Sequence, residues 1–156
     1  MKNVAVVDVL DQKVAGLRRN GRYEEIGSVL MELYRFVSEK GLLITGPPAF
    51  ICHEQTHEEV READSAGTAD IEVVFPVEGD AAGESGIGVY ELAGGTMARI
   101  IHMGAYRDCG EAYEELFAWI AANHKTIAGP LREVYVNNPA ETPEDDLVTW
   151  IYAPIA

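Results

Sequence analysis

The chain has 156 residues, 47% of them hydrophobic, and its 12 Lys and Arg against 26 Asp and Glu give a formal net charge of −14. This length predicts a single domain that needs no disulfide or metal to hold its core. The charge argues against direct binding to nucleic acid or to anionic lipid, because affinity for phosphates comes from basic residues. Two cysteines, no apolar stretch near 18 residues and no signal peptide predict a cytoplasmic protein that does not cross a membrane.

The pattern of apolar and turn residues predicts two consecutive segments, here called rounds, each with the order strand, strand, helix, strand, strand. The first round consists of strands at 4–9 and 13–19 around a turn at 10–12, a helix at 23–40, and strands at 50–53 and 71–77. The second round consists of strands at 86–92 and 96–103 around a turn at 93–95, a helix at 106–123, and strands at 133–136 and 147–155. Apolar residues recur three and four apart in both helices, so each helix covers one face of a sheet.

The two rounds are copies of one unit. A shift of 83 residues aligns nine identical residues without a gap, namely Ala15, Gly21, Tyr23, Gly27, Glu32, Leu33, Ile44, Gly46 and Pro47 with their second-round counterparts. The repeats, at about 3–78 and 86–155, predict an α+β fold with an antiparallel eight-stranded sheet and two long helices. Two helices cannot cover both faces of eight strands, so a central cleft remains for a ligand.

The repeats differ most sharply at Phe50, which the second copy replaces with Glu133. Strand alternation puts Leu131, Glu133 and Tyr135 on one face, so Glu133 points inward if Phe50 does. A carboxylate among aromatic groups would be partly desolvated, which favours an acid that binds a cationic ligand or transfers protons. The alternative left open is that this face is solvated and that Glu133 is an ordinary strand acid.

Aromatic residues crowd the second copy. They are Tyr106, Tyr113, Phe117, Trp119, Tyr135, Trp150 and Tyr152. Each one taken singly belongs more often to a core than to a ligand site. Tyr113 is the best ligand candidate, because its counterpart is Leu30 and a buried hydroxyl needs a partner. We predict that Tyr135 and Trp150 also line the ligand site.

Several segments of the second copy resemble the GyrI-like small-molecule-binding family. They are LAGGTMA at 92–98, HMGAY at 102–106, EVYVNNP at 133–139 and IYAPI at 151–155. The resemblance covers about residues 3–155 and extends to the effector-binding domains of AraC-type and MerR-type multidrug regulators. It implies an SHS2-like fold, a duplicated strand–strand–helix–strand–strand unit with a cleft along a pseudo-twofold axis.

The resemblance also implies a site. The position of Glu133 carries an acid that meets cationic, lipophilic compounds in an aromatic pocket, which Leu30, Phe50, Tyr113 and Leu147 would line. The chain departs from the family at Trp150, where an acid is usual. The leading prediction is therefore a stand-alone protein, monomer or dimer, that holds a small lipophilic or cationic molecule without a cofactor.

Two alternatives remain. Some stand-alone members resemble hydrolases that open strained cyclopropane rings of toxic natural products, which would make Glu133 the base and Tyr113 the proton donor. The second alternative is an interaction protein that binds gyrase or a separate regulator through its acidic surface.

The segment His53-Glu54-Gln55-Thr56-His57 matches the HExxH pattern of zinc enzymes. We predict no metal there, because the repeat places His53 at a strand end, where two imidazoles four residues apart do not share a face. The following residues form a polar connection in which a short surface helix remains possible.

Overall fold

The computed structural model describes residues 4–156, so residue 3, where the first predicted copy begins, lies outside the described residues. The strands are β1 (Ala5–Val9), β2 (Gln12–Gly21), β3 (Leu43–Ile44), β4 (Ala49–Cys52), β5 (Ala69–Glu78), β6 (Ile87–Leu92), β7 (Gly95–Met103), β8 (Leu131–Tyr135) and β9 (Val148–Pro154). The helices are α1 (Ile26–Glu39), α2 (His57–Ala66) and α3 (Gly110–Ala122). This arrangement confirms the predicted α+β class with antiparallel strands and two long helices.

The structure adds two elements to the prediction, the short strand β3 and the helix α2. The second of these had a signal in the sequence. The side chain of Thr56 accepts a hydrogen bond from the Glu59 amide at 3.0 Å, and Gly67 ends the helix with a φ of 70°. A threonine followed three residues later by a glutamate is typical of a helix start, and glycine is the usual residue at a left-handed helix end. None of the helices between residues 4 and 156 is both long and apolar enough to cross a membrane.

The described chain divides into two compact units. The first contains residues 11–93, where β4, β5, β2 and β6 lie side by side in that order and β3 pairs with β5. Helix α1 packs on β5 and β2 and buries Val29, Leu33, Phe36 and Val37. These positions lie three and four residues apart, as the predicted apolar stripe requires.

The second unit contains residues 4–10 and 94–156, where the strand order is β1, β7, β9, β8. Helix α3 packs on β7 and buries Ala112, Leu116 and Ile120. Every other residue of β9 is fully or almost fully buried, which marks the face that belongs to the core of this unit.

The two predicted hairpins, around 10–12 and 93–95, are wrong. Strand β1 pairs with β7, with Val9 opposite Gly95, and strand β6 pairs with β2, with Leu17 opposite Ile87. A strand buries the same alternating face in a hairpin as in the observed pairing, so neither the apolar pattern nor the turn residues distinguish the two. We call the observed arrangement, in which β1 and β6 pair outside their predicted hairpins, the strand exchange. This strand exchange explains why the compact units divide after residues 10 and 93 and not between the two predicted repeats, at about 3–78 and 86–155.

The registers of the two units correspond position by position. Ala15 pairs with Phe75 in the first unit, and Ala98 pairs with Ala153 in the second. These pairs differ by 83 and 78 residues, the offsets seen in the sequence. The duplication itself stays a prediction, which these registers support.

Candidate functional site

Glu133 lies on the core face of its unit. It pairs across the sheet with Ile151, and Tyr135 pairs with Thr149, and both of these β9 residues are fully buried. Because paired residues of adjacent strands share a face, Glu133 and Tyr135 point into the core side of the sheet. Glu133 itself is partly exposed. The structure therefore favours the inward orientation over the solvated face that the sequence left open.

Two tyrosines hold the carboxylate of Glu133. The Tyr113 hydroxyl, on α3, donates to Oε2 in a short hydrogen bond, and the Tyr135 hydroxyl donates to Oε1 at 3.1 Å. We call Glu133, Tyr113 and Tyr135 the Glu133 cluster. A helix residue and two residues of one strand thus meet at one carboxylate, because α3 packs against the sheet of its own unit.

Burial sets the electrostatics of the cluster. It raises the pKa of Glu133 above the usual carboxyl value, because desolvation outweighs the two tyrosine hydrogen bonds and the electrostatic interaction with His102, which all act in the opposite direction. Burial, followed by the charge of Glu133, raises the pKa of Tyr135 far above the usual phenol value. Tyr135 therefore remains a hydrogen-bond donor at neutral pH.

Two further aromatic rings pack against the tyrosines of the Glu133 cluster. The ring of Tyr106 meets Tyr135 nearly edge-on with centroids 5.2 Å apart, and the ring of Phe117 lies 6.0 Å from that of Tyr113. Such rings offer apolar area together with electron-rich faces that attract cations. The surroundings therefore suit a ligand that is both lipophilic and positively charged.

Two further residues of this unit, Trp150 and Leu147, are predicted to line the site. Trp150 is on the opposite face of β9 from Thr149 and Ile151, and the guanidinium of Arg99 lies 5.0 Å from its ring centre. Trp150 is thus not part of the Glu133 cluster, because neighbouring residues of a strand point to opposite faces. Leu147 is buried just before β9, and its carbonyl accepts from the Gly104 amide at 2.8 Å.

Phe50 and Leu30 belong to the other unit. Phe50 is buried on β4 and meets Tyr23 edge-on, with ring centres 6.0 Å apart, and Leu30 is a partly exposed residue of α1. That these two residues line the pocket of Glu133 stays a prediction.

The sequence reasoning missed His102 and Thr149 as site residues. Both are buried on the face that carries Glu133. The offsets of the repeat align Thr149 with Ile71 and His102 with Arg19. The comparison that singled out Glu133 against Phe50 could therefore have found them too.

The HExxH segment does not form a helix with both histidines on one face. His53 lies before α2 and its Nε2 is 2.8 Å from Oε1 of Glu72, whereas His57 is the first residue of α2. Glu72 is itself buried and also accepts from the Tyr90 hydroxyl. Among residues 4–156, no three His, Cys, Asp or Glu side chains converge in a way that could hold a metal ion.

Solved structures with the same fold carry different functional descriptions. The chain matches the EcmrR C-terminal domain at 19% identity and a TM-score of 0.81, covering 100% of this chain and 98% of that domain. It spans 57% of the EcmrR chain in a complex with DNA, at a TM-score of 0.86 and 19% identity. A hydrolase from Listeria innocua matches at 11% identity and a TM-score of 0.70, covering 99% of this chain and 92% of that chain.

One relative was solved with a cation. SAV2435 bound to tetraphenylphosphonium matches at 14% identity and a TM-score of 0.63, covering 99% of this chain and 94% of that chain. None of the curated proteins matches the chain at a significant level. The sequence model of one family, the GyrI-like small molecule binding domain, matches residues 2–156, which is nearly the whole length. The chain therefore belongs to the GyrI-like family of small-molecule-binding domains.

Proposed function

We propose that this domain binds small lipophilic cations and that Glu133 supplies the counter-charge. The observation that carries the proposal is a partly buried carboxylate that two tyrosine hydroxyls hold in place. Within residues 4–156, no Lys or Arg forms an ion pair with Glu133. A buried charge without an opposite charge is costly, so the site gains more from a bound cation than from a neutral molecule of the same shape.

Two further observations support the proposal. The rings of Tyr113 and Tyr135 lie at the carboxylate, and the rings of Phe117 and Tyr106 pack against them, which adds aromatic surface for contact with an apolar cation. A related structure, SAV2435, holds the quaternary cation tetraphenylphosphonium. Binding of a similar cation here is consistent with both.

The test compares methyltriphenylphosphonium with triphenylphosphine oxide, which is similar in shape and neutral. We expect calorimetry to show cation affinity rising as pH increases through the raised pKa of Glu133, because the ionised carboxylate attracts the cation and the protonated acid does not. The affinity of the phosphine oxide should stay flat over the same range. Equal affinities and equal pH profiles for the two compounds would contradict the proposal.

A hydrolase is the second candidate, supported by the contact of the Tyr113 hydroxyl with Glu133 and by the hydrolase among the related structures. Glu133 would take a proton from a water molecule while the oxygen of that water bonds to a strained, electrophilic ring carbon. The ring bond would break towards an electron-accepting group, which Tyr113 would protonate, and Glu133 would then return a proton to Tyr113. Ring-opened product carrying ¹⁸O from labelled water, absent with Glu133→Gln, would support this candidate. Binding to gyrase or to a separate regulator stays a prediction from charge alone.

A further inference from the structure

Two buried polar atoms beside the Glu133 cluster have no hydrogen-bond partner among the protein atoms of residues 4–156. They are Nδ1 of His102, on β7, and Oγ1 of Thr149, on β9. His102 is 4% exposed and Thr149 is not exposed at all. Buried polar side-chain atoms are nearly always paired with protein or with ordered water, so two orphans on one face require an explanation.

The hydrogen-bonding roles of these atoms follow from their surroundings. Nε2 of His102 lies 2.9 Å from the carbonyl oxygen of Ala105. A carbonyl can only accept, so Nε2 carries the hydrogen of the neutral ring and Nδ1 presents a lone pair. The Thr149 hydroxyl has two lone pairs and one hydrogen.

The strand register places these atoms in line with the Glu133 cluster. Thr149 pairs with His102 on one side and with Tyr135 on the other, so the three side chains form a row across β7, β9 and β8 on one face. Adjacent strands lie about 4.8 Å apart. Glu133 occupies the same face, two residues along β8 from Tyr135.

The row and the cluster together contain more acceptors than donors. The hydroxyl hydrogens of Tyr113 and Tyr135 are already donated to Glu133. The carboxylate keeps further lone pairs, and Nδ1 of His102 and Oγ1 of Thr149 add to them. The complementary ligand is therefore one that brings hydrogen-bond donors as well as positive charge.

We propose that this site prefers cations with N–H groups, such as protonated amines and amino-substituted aromatic cations, over quaternary cations without them. Glu133 balances the charge, and His102 and Thr149 accept the N–H hydrogen bonds. This inference rests on the proposed function and defines the ligand class for the same site. Because Thr149 is fully buried in the free protein, the surrounding aromatic side chains must move when the ligand enters.

The experiment compares 9-aminoacridinium, which carries N–H groups on opposite edges of its ring system, with N-methylacridinium, which carries none. Both are planar cations of similar size, and fluorescence titration of the full chain at pH 8 gives both affinities. We expect the wild-type protein to favour 9-aminoacridinium by about tenfold, the usual size for hydrogen bonds to buried acceptors. Equal affinities for the two dyes would overturn the inference.

Two substitutions at Thr149 test whether the preference for 9-aminoacridinium comes from the row of His102, Thr149 and Tyr135. Thr149→Val keeps the shape and removes the hydroxyl, so it should weaken 9-aminoacridinium binding more than N-methylacridinium binding and reduce the preference at least threefold. Thr149→Ser keeps the hydroxyl and should retain the preference. Thr149→Val removes an unpaired buried group, so we expect the free protein to remain at least as stable as the wild type. An unchanged preference in Thr149→Val would overturn the inference.

The outcomes separate this inference from the proposed function. If both dyes bind equally and both lose affinity in Glu133→Gln, the cation site stands and the donor preference is wrong. If neither dye responds to Glu133→Gln, the proposed function fails and the donor preference fails with it.

Discussion

Glu133→Gln is expected to weaken the binding of methyltriphenylphosphonium by about 1–3 kcal/mol, or roughly 5- to 150-fold. Glutamine keeps the shape of the side chain and one acceptor oxygen, so the loss reports the missing charge. Binding of triphenylphosphine oxide should change by less than about twofold. Calorimetric titration of both compounds against both proteins measures the difference.

The matched control for this prediction is Glu72→Gln in the other unit. Glu72 is also a buried acid on a strand, and it also accepts from a tyrosine hydroxyl, that of Tyr90. It has a partner that Glu133 does not have, because Nε2 of His53 lies 2.8 Å from its Oε1. We expect Glu72→Gln to leave cation affinity unchanged. Equal losses from both substitutions would mean that a general effect on the fold, and not the charge of Glu133, weakens binding.

Gly94→Ala is expected to lower the free energy of unfolding by about 3 kcal/mol, at the upper end of the range for overpacked sites. A Cβ at this position would lie 1.9 Å from the carbonyl oxygen of Val9 and 2.6 Å from the carbonyl carbon of Leu10. Both atoms belong to the backbone, so no side-chain rotation relieves the clash. Denaturant unfolding of the purified protein measures the loss.

Gly27→Ala serves as the control for this prediction. Gly27 lies in the first turn of α1, and a Cβ there would meet nothing within 4 Å. We expect this substitution to stabilise the protein by up to about 1 kcal/mol, because alanine loses less conformational entropy in a helix. Wild-type stability in Gly94→Ala would contradict the close approach of Gly94 to the end of β1, and with it the pairing of β1 with β7.

Local periodicity made much of the fold predictable. The spacing of apolar residues found α1 and α3, and alternation along β8 correctly put Glu133 and Tyr135 on one face. The partners of β1 and β6 could not be found this way, because strand pairing is decided by contacts between residues far apart in sequence. The glycines at 94 and 95 suggested a tight hairpin, whereas one of them is required for close backbone packing.

The candidate site was predictable where the two copies differ. The change from Phe50 to Glu133 singled out the acid, and the change from Leu30 to Tyr113 singled out its hydrogen-bond donor. Aromatic character alone did not indicate the face of Trp150, because a large ring fits either face of a strand and this one lies beside Arg99, opposite to the face of Glu133. The comparison of the copies could have singled out His102 and Thr149 one at a time, but that they lie in one row follows only from the strand register, which shows which residues of three different strands lie side by side.

Carboxyl ¹³C NMR of the Glu133 side chain, titrated with and without methyltriphenylphosphonium, tests the central claim most directly. In the free protein we expect the pKa of Glu133 to lie above the usual carboxyl value, because desolvation dominates. Saturation with the cation should lower this pKa, since a bound positive charge favours the carboxylate, while triphenylphosphine oxide should not lower it. A pKa of Glu133 that is ordinary in the free protein and does not change when the cation binds would contradict the account.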